Sequence, residues 1–256
     1  MRLHFFLPIF LLLFSCFSSC DSEKKPLGSP ASVVQDNALS DAEQAGGWKL
    51  LFDGKTIAHW HNYGKSTTGR SWIIEDGTLH LDARPDANGH WQASNGGDLI
   101  SNESYQDFEF TTDWKIDTCG NSGIFFNVVE DTTRYDYGWK SGPEMQILDN
   151  TCHPDAKITK HRAGDLYDLI SCAKEVAKPA PQWNTARIVS KGGHLEQWLN
   201  GVKVVEVQMF TPEWDKLIAG SKFKEWPGFG GAKEGRIGLQ DHGNKVWFKN
   251  IKIKKL

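Results

Sequence analysis

The chain has no basic stripe. Its 29 Lys and Arg are set against 32 Asp and Glu, giving a formal net charge of −3. The one dense lysine group, Lys252-Ile253-Lys254-Lys255, alternates with apolar residues as a closing strand would. Nucleic acid is therefore not an expected partner. Cysteine is scarce, with five in 256 residues and only Cys119, Cys152 and Cys172 beyond residue 20. None of these has metal-type spacing, so a zinc site built on cysteine is not expected. No long stretch carries a helical period, which removes the helical bundles.

What the chain does contain is 39% hydrophobic and 24% charged residues, the balance of a globular domain rather than a disordered chain. Its length suits one large all-β domain or two smaller ones. Tryptophan is generous at eleven. An indole is a broad apolar surface with one donor, able to fill a core or to stack on a sugar ring. Most of the eleven are expected in the core.

Residues 1–20 read as a targeting segment. Arg2 and His4 lead into the apolar run Phe5 to Phe14, too short for a stable membrane span and typical of a secretory signal. Small residues and cysteine follow, as Ser15-Cys16 and Ser18-Ser19-Cys20. A cysteine after small residues resembles the lipobox of bacterial lipoproteins, in which the thiol is lipidated. Cys16 has Leu13 three places before it. Cys20 is followed by the polar Asp21-Ser22-Glu23 and is the preferred site; a plain cleaved signal is the alternative. The expected location is the cell envelope, lipid-anchored, in the periplasm or at the outer-membrane surface. Residues 21–45, rich in Ser, Pro and charge, read as a flexible tether. Three remaining cysteines allow at most one bridge. Cys152 and Cys172 flank one loop-rich region and are the expected pair.

From residue 46 onward, short apolar-alternating runs are separated by turn residues. Glu75-Asp76-Gly77 and Asn200-Gly201 each predict a hairpin. About a dozen strands without an internal linker predict a single sandwich or jelly roll over 46–256. Two long segments interrupt it, about 149–181 and 210–234, and loops of that length are usually functional or disordered. The aromatic residues of the second argue against disorder.

Two runs place polar side chains on one side of a strand. In Glu144-Met145-Gln146-Ile147-Leu148, Glu144 and Gln146 alternate with Met145 and Ile147. In Arg236 to His242, Ile237 and Leu239 turn to a core while Gln240 and His242 turn away. This reads either as the floor of a polar groove or as an ordinary solvated sheet face.

These residues belong to an ordered set. Leu51-Phe52-Asp53-Gly54-Lys55 with Trp60, Gly97-Asp98-Leu99, Gly120-Asn121-Ser122-Gly123-Ile124 and Glu144 to Asp149 come first. Gly164 to Leu169, Trp183-Asn184, Trp198-Leu199-Asn200-Gly201, Ile237 to Gly243 and Phe248 to Ile253 follow. Together they resemble the 3-keto-disaccharide hydrolase domain family over about residues 47–256. The resemblance implies a concanavalin-like jelly roll of two antiparallel sheets, one concave. It also implies an exported bacterial enzyme acting on a sugar, an oxidised oligosaccharide or glycoside, whose C3 carries a ketone.

That chemistry needs a base near C2, a stabiliser for the enolate and an acid for the leaving oxygen. Glu144 is the candidate base, with a structural or hydroxyl-binding role as the alternative. His161 and His242 are candidates for acid or enolate stabiliser, and Asp168 and Tyr167 for orienting a histidine or binding hydroxyls. Gln146, Gln240 and Asn121 suit hydroxyl recognition, because amides both donate and accept. Trp198 shares a strand face with Glu196 and His194 and could stack on a sugar or fill the core. No cofactor is required. A divalent metal that polarises the ketone is compatible with Glu144, His161, Asp168 and His242, though no spacing demands one. The alternative function is a noncatalytic carbohydrate-binding module, because jelly rolls serve both ends.

Overall fold

In the strand Phe108–Ile116, every second side chain is buried: Phe108, Phe110, Thr112, Trp114 and Ile116. That alternation recurs across a computed structural model that describes residues 35–256 together with Met1, Leu3 and His4. The leader otherwise, both candidate lipidation sites (Cys16 and Cys20) and residues 21–34 of the expected tether lie outside the described residues. From Gln35 onward the described residues form one compact unit.

The strands, in chain order, are β1 (Trp48–Leu50), β2 (Trp60–Asn62), β3 (Trp72–Glu75), β4 (Thr78–Leu81), β5 (Arg84–Pro85), β6 (Trp91–Gln92), β7 (Leu99–Ser101) and β8 (Phe108–Ile116). They continue as β9 (Asn121–Val128), β10 (Glu144–Leu148), β11 (Asn184–Lys191), β12 (His194–Leu199), β13 (Val202–Gln208), β14 (Arg236–Leu239) and β15 (Val246–Lys255). One antiparallel sheet of eight strands runs β13-β12-β11-β8-β15-β4-β3, with β1 also on β15. The other, of five, runs β10-β9-β14-β7-β2. Both predicted hairpins form, β3–β4 and β12–β13. Their turn residues Asp76, Gly77, Asn200 and Gly201 all have positive φ, as a type I′ turn requires.

The two sheets form a jelly-roll sandwich whose inner faces meet in one core. Phe110, Trp114 and Ile188 come from the larger sheet, and Ile124, Phe126, Met145, Ile147 and Leu239 from the smaller. Each such side chain, once buried, stabilises the fold by roughly 1.5–3 kcal/mol. The small sheet has a further property that matters for function. Strands β9 and β10 are buried along their whole length, on both faces. Their outer face is not solvated but roofed by loops.

Three expectations change. The tether ends earlier than residue 45. Asn37 and Asn250 exchange backbone-to-side-chain hydrogen bonds, Asn37 N–H to Oδ1 at 2.6 Å and Asn250 N–H to Oδ1 at 2.8 Å. A capped helix, α1 (Asp41–Ala45), follows, and Lys252 pairs with its Glu43. Helix α2 (Pro212–Ala219) occupies part of the second long segment, capped by the Thr211 hydroxyl; at eight residues it is too short to leave a readable period. The disulfide joins Cys119 to Cys152, not Cys152 to Cys172. Antiparallel pairing sets Asn121 opposite Leu148, so the chain entering β9 and the chain leaving β10 run side by side, with the two Cα atoms 4.8 Å apart. Cys172 stays a free thiol, pushed up to about 12 by burial and by the Asp165 carboxylate.

Candidate active site

The outer face of the five-stranded sheet is the floor of a cavity of about 210 Å³. Asn121 comes from β9, Glu144 and Gln146 from β10, and Gln240 from just beyond β14. Gly123 lies among them. A Cβ there would stand 1.9 Å from Glu144 Oε1, so the missing side chain is the slot that receives the carboxyl group. One end of the Gln146 amide lies 3.1 Å from Asn121 Oδ1. With its nitrogen turned to Glu144, the amide donates to Oε1 at 2.9 Å and to the Ser122 carbonyl at 3.3 Å, the orientation its neighbours favour. Gln240 Oε1 is buried and has no protein partner, an acceptor left for a ligand hydroxyl.

The roof is hung from the free edge of β10. Gln146 N–H donates to Asp165 O (3.0 Å), Gly164 N–H to Gln146 O (2.9 Å) and Tyr167 N–H to Glu144 O (2.9 Å). This short ladder sets Tyr167 beside Glu144. Asp168 follows with φ 57°, a conformation Asp tolerates better than most residues. It binds two loops at once: His161 Nε2 lies 3.0 Å from Oδ1, and the Lys222 backbone N–H donates to Oδ2 at 2.7 Å. The Lys222 ammonium then sits 4.2 Å from the centroid of the Tyr167 ring, facing the floor. Phe223 and Trp139 form the apolar wall, with Trp226 edge-on to Trp139 at 4.8 Å. His242 closes the opposite side, edge-on to His153 at 6.4 Å.

Removal from water governs the electrostatics. Glu144 is 5% exposed, and this burial pushes its carboxyl up to about 8. The Lys222 ammonium opposes the shift, while the Asp98 and Asp155 carboxylates add to it. Asp98, buried on the same sheet face, is itself raised to about 7 by desolvation. Burial also raises Tyr167, keeping its phenol protonated. Lys222 and His242 line the cavity and are partly open to solvent. Protein nevertheless surrounds their ionisable ends, and desolvation holds both below their ordinary values. For His242 the neighbouring His153 adds to the effect, and for Lys222 the nearby carboxylates oppose it.

Of the residues singled out from the sequence, Glu144, Gln146, Asn121, Tyr167, Gln240 and His242 line the cavity. His161 and Asp168 do not. They stand behind Tyr167, with the His161 ring 4.3 Å from the Tyr167 ring, and act as its support. Trp198 is elsewhere. It lies on the outer face of the eight-stranded sheet and donates to Glu196 Oε2 at 2.9 Å, under Arg187. Its parity with Glu196 holds, but the strand belongs to the other sheet. Lys222, Phe223, Trp139 and Asp98 were missed. Lys222 begins the aromatic stretch of the second long segment, and that density was the available signal.

The four candidate metal ligands do not converge. Among the described residues, the group of three with donor atoms within 4.8 Å of one another is His194, Glu196 and Glu206, on β12 and β13. There Lys203 already bridges the two carboxylates, at 3.2 and 2.6 Å.

A jelly roll with a buried acid, an ammonium, amides and indoles around one cavity is the architecture of a sugar-active protein. Comparison with known proteins agrees. The model of the 3-keto-alpha-glucoside-1,2-lyase-like domain matches residues 47–254. A Bacteroides thetaiotaomicron protein named 3-keto-disaccharide hydrolase is 38% identical over 273 aligned positions, covering 93% of each chain. Two solved Parabacteroides distasonis structures, provisionally described as glycosyl hydrolases, share the fold. One is 30% identical, with a TM-score of 0.76 over 87% of this chain and 100% of its own. The other is 27% identical, with a TM-score of 0.58 over 82% of this chain and 99% of its own. The chain belongs to the 3-keto-alpha-glucoside-1,2-lyase-like family, a family of sugar-active hydrolases and lyases.

Proposed function

We propose that this protein cleaves glycosides whose C3 hydroxyl has been oxidised to a ketone, by elimination followed by hydration. The observation that carries the reading is Glu144. It is a buried carboxyl on the floor of a cavity of single-ring size, with the Lys222 ammonium and the Tyr167 phenol lining the same cavity, and burial raises its pKa. A 3-keto group acidifies the proton on C2. Glu144 accepts that proton, and the electron pair moves into the C2–C3 bond to leave an enolate oxygen. Lys222 and Tyr167 supply a cation and a hydrogen-bond donor for that oxygen. Collapse of the enolate expels the C1 substituent, and Glu144, now carrying the proton, can return it to the departing oxygen. Water then adds across the enone, hydroxyl to C1 and proton to C2. Net hydrolysis follows without an oxocarbenium ion. His242, held neutral near pH 7, suits hydrogen bonding to substrate better than acid catalysis. Gln146, Gln240 and Asn121 recognise ring hydroxyls.

The test is an incubation of the soluble domain with methyl 3-keto-glucoside and with methyl glucoside in deuterated water, with and without chelator. Release from the keto compound alone, with deuterium at C2, is the expected result. Equal release from both compounds points to an ordinary glycosidase. Glycan binding with no release from either makes the protein a carbohydrate-binding module. Loss of release on chelation would add a metal to the scheme.

We also propose export and lipid anchoring through Cys20, on the strength of the apolar leader and the small residues before that cysteine. Labelled palmitate should enter the wild-type chain and not Cys20→Ala. Retained label in Cys20→Ala, with loss in Cys16→Ala, would move the anchor.

A further inference from the structure

At about 210 Å³ the cavity falls below the roughly 300–1,000 Å³ of pockets for drug-sized ligands, so it has room for one sugar ring. The leaving group of a two-ring substrate must rest outside it. What lies immediately outside is an aromatic shelf. Trp139 lines the cavity, and Tyr137 continues from it, nearly parallel, with interplanar angle 17° and centroids 6.0 Å apart. Tyr137 is 52% exposed, one of few large apolar side chains so placed among the described residues. The Lys140 ammonium stands 5.6 Å from the Tyr137 ring and 5.4 Å from the Trp139 ring, and is held by Asp136 at 2.7 Å.

The shelf is fixed in advance. Gly138–Lys140 is one 3-10 turn, and the fully buried Ser141 pins its end, accepting from Val129 N–H at 3.1 Å and donating to Gly138 O at 3.0 Å. A pyranose offers an apolar C–H face for an aromatic ring and a rim of hydroxyls for a charged pair. Trp91, also exposed at 44%, lies on the separate β5–β6 hairpin and does not line the cavity.

We propose that Tyr137, Trp139 and Lys140 form a second subsite, which binds the leaving-group sugar ring of a disaccharide. The proposal rests on the keto-glycoside reading above. Its test compares kcat/KM for a 3-keto-disaccharide with that for methyl 3-keto-glucoside, in the wild type and in Tyr137→Ala. Tyr137 is exposed, so the variant should fold. The ratio of the two constants should fall roughly three- to tenfold, the scale of one aromatic contact. An unchanged ratio, or the same fall in Trp91→Ala, overturns the subsite. If the wild type turns over neither compound, the keto-glycoside reading fails instead. Saturation-transfer NMR with an unoxidised disaccharide then decides the shelf. Transfer to the second ring that weakens in Tyr137→Ala supports it; equal transfer overturns it.

Discussion

Glu144 occupies the space that a side chain on Gly123 would fill, its Oε1 lying 1.9 Å from where the Cβ would stand. The two residues sit diagonally across the β9–β10 pair, with Gly123 opposite Gln146 and Glu144 opposite Phe125. Gly123→Ala should therefore act on the carboxyl group more than on the fold. The clash takes in Glu144 Oε1 at 1.9 Å, Cδ at 2.6 Å and Cγ at 2.8 Å, so the side chain beyond Cβ must leave the slot. Stability by denaturant unfolding should fall by about 1–3 kcal/mol, the range for overpacking a filled site, with the larger effect on turnover. Turnover of a 3-keto-glucoside should drop about 100-fold or more, the scale of losing a positioned base. A Gly123→Ala enzyme with wild-type kcat would show that Glu144 need not lie in this slot.

The raised carboxyl of Glu144 makes two pH predictions. Only the ionised form accepts the C2 proton, so kcat/KM should climb as pH rises to about 8 and then level off. A profile flat from pH 6 to 9 would remove Glu144 as the base. Stability should move the other way. Between the ordinary value of 4.5 and about 8, the folded chain holds a proton that the unfolded chain releases, so folding weakens as pH rises through that window. Glu144→Gln carries no such penalty. Its Tm advantage over the wild type should be absent below about pH 4.5, grow to about pH 8 and stay constant above.

Lys222 faces the same carboxyl group and holds its pKa down against burial. Lys222→Met should cost about 10²–10³ in kcat if the ammonium stabilises the enolate. It should also move the rising limb of the pH profile to higher pH, because the opposing positive charge is gone. Lys222→Arg should restore the limb and part of the rate. A rate loss with an unmoved limb would leave Lys222 a mere prop for the roof.

The sandwich was legible because its strands alternate at period two and its hairpins carry turn residues with positive φ, at Asp76-Gly77 and Asn200-Gly201. The floor of the site was legible for the same reason, since parity alone puts Glu144 with Gln146. Parity cannot say which sheet a strand joins, and Trp198 was open to a groove reading on that account. The roof is a matter of tertiary contact. His161 and Asp168 are near Glu144 in sequence order but end one layer behind it. Lys222 is 78 residues from Glu144 (222 − 144) and is brought to it by tertiary contacts, among them the hydrogen bond by which Asp168 ties the two loops together.

The Cys119–Cys152 bridge was misread because strand register, not sequence proximity, brings thiols together. It closes a loop with a sequence separation of 33 and fixes the start of the segment that carries His153 and Asp155 to the entry of β9. Chain-entropy arguments put such a crosslink at about 3–4 kcal/mol. The Cys119→Ser, Cys152→Ser double variant should lose about that much stability in urea. Its turnover should also fall, because the His153 ring packs against His242 at the cavity. Cys172→Ser should behave differently. It removes a half-buried thiol with no bridge, so the loss should stay near 1 kcal/mol and kcat should hold. Reductant separates the two cases further: it should lower the Tm of the wild type and of Cys172→Ser alike, and leave the double variant where it was. A wild-type Tm insensitive to reductant, with free thiols fully titratable in the native state, would show that the bridge does not form.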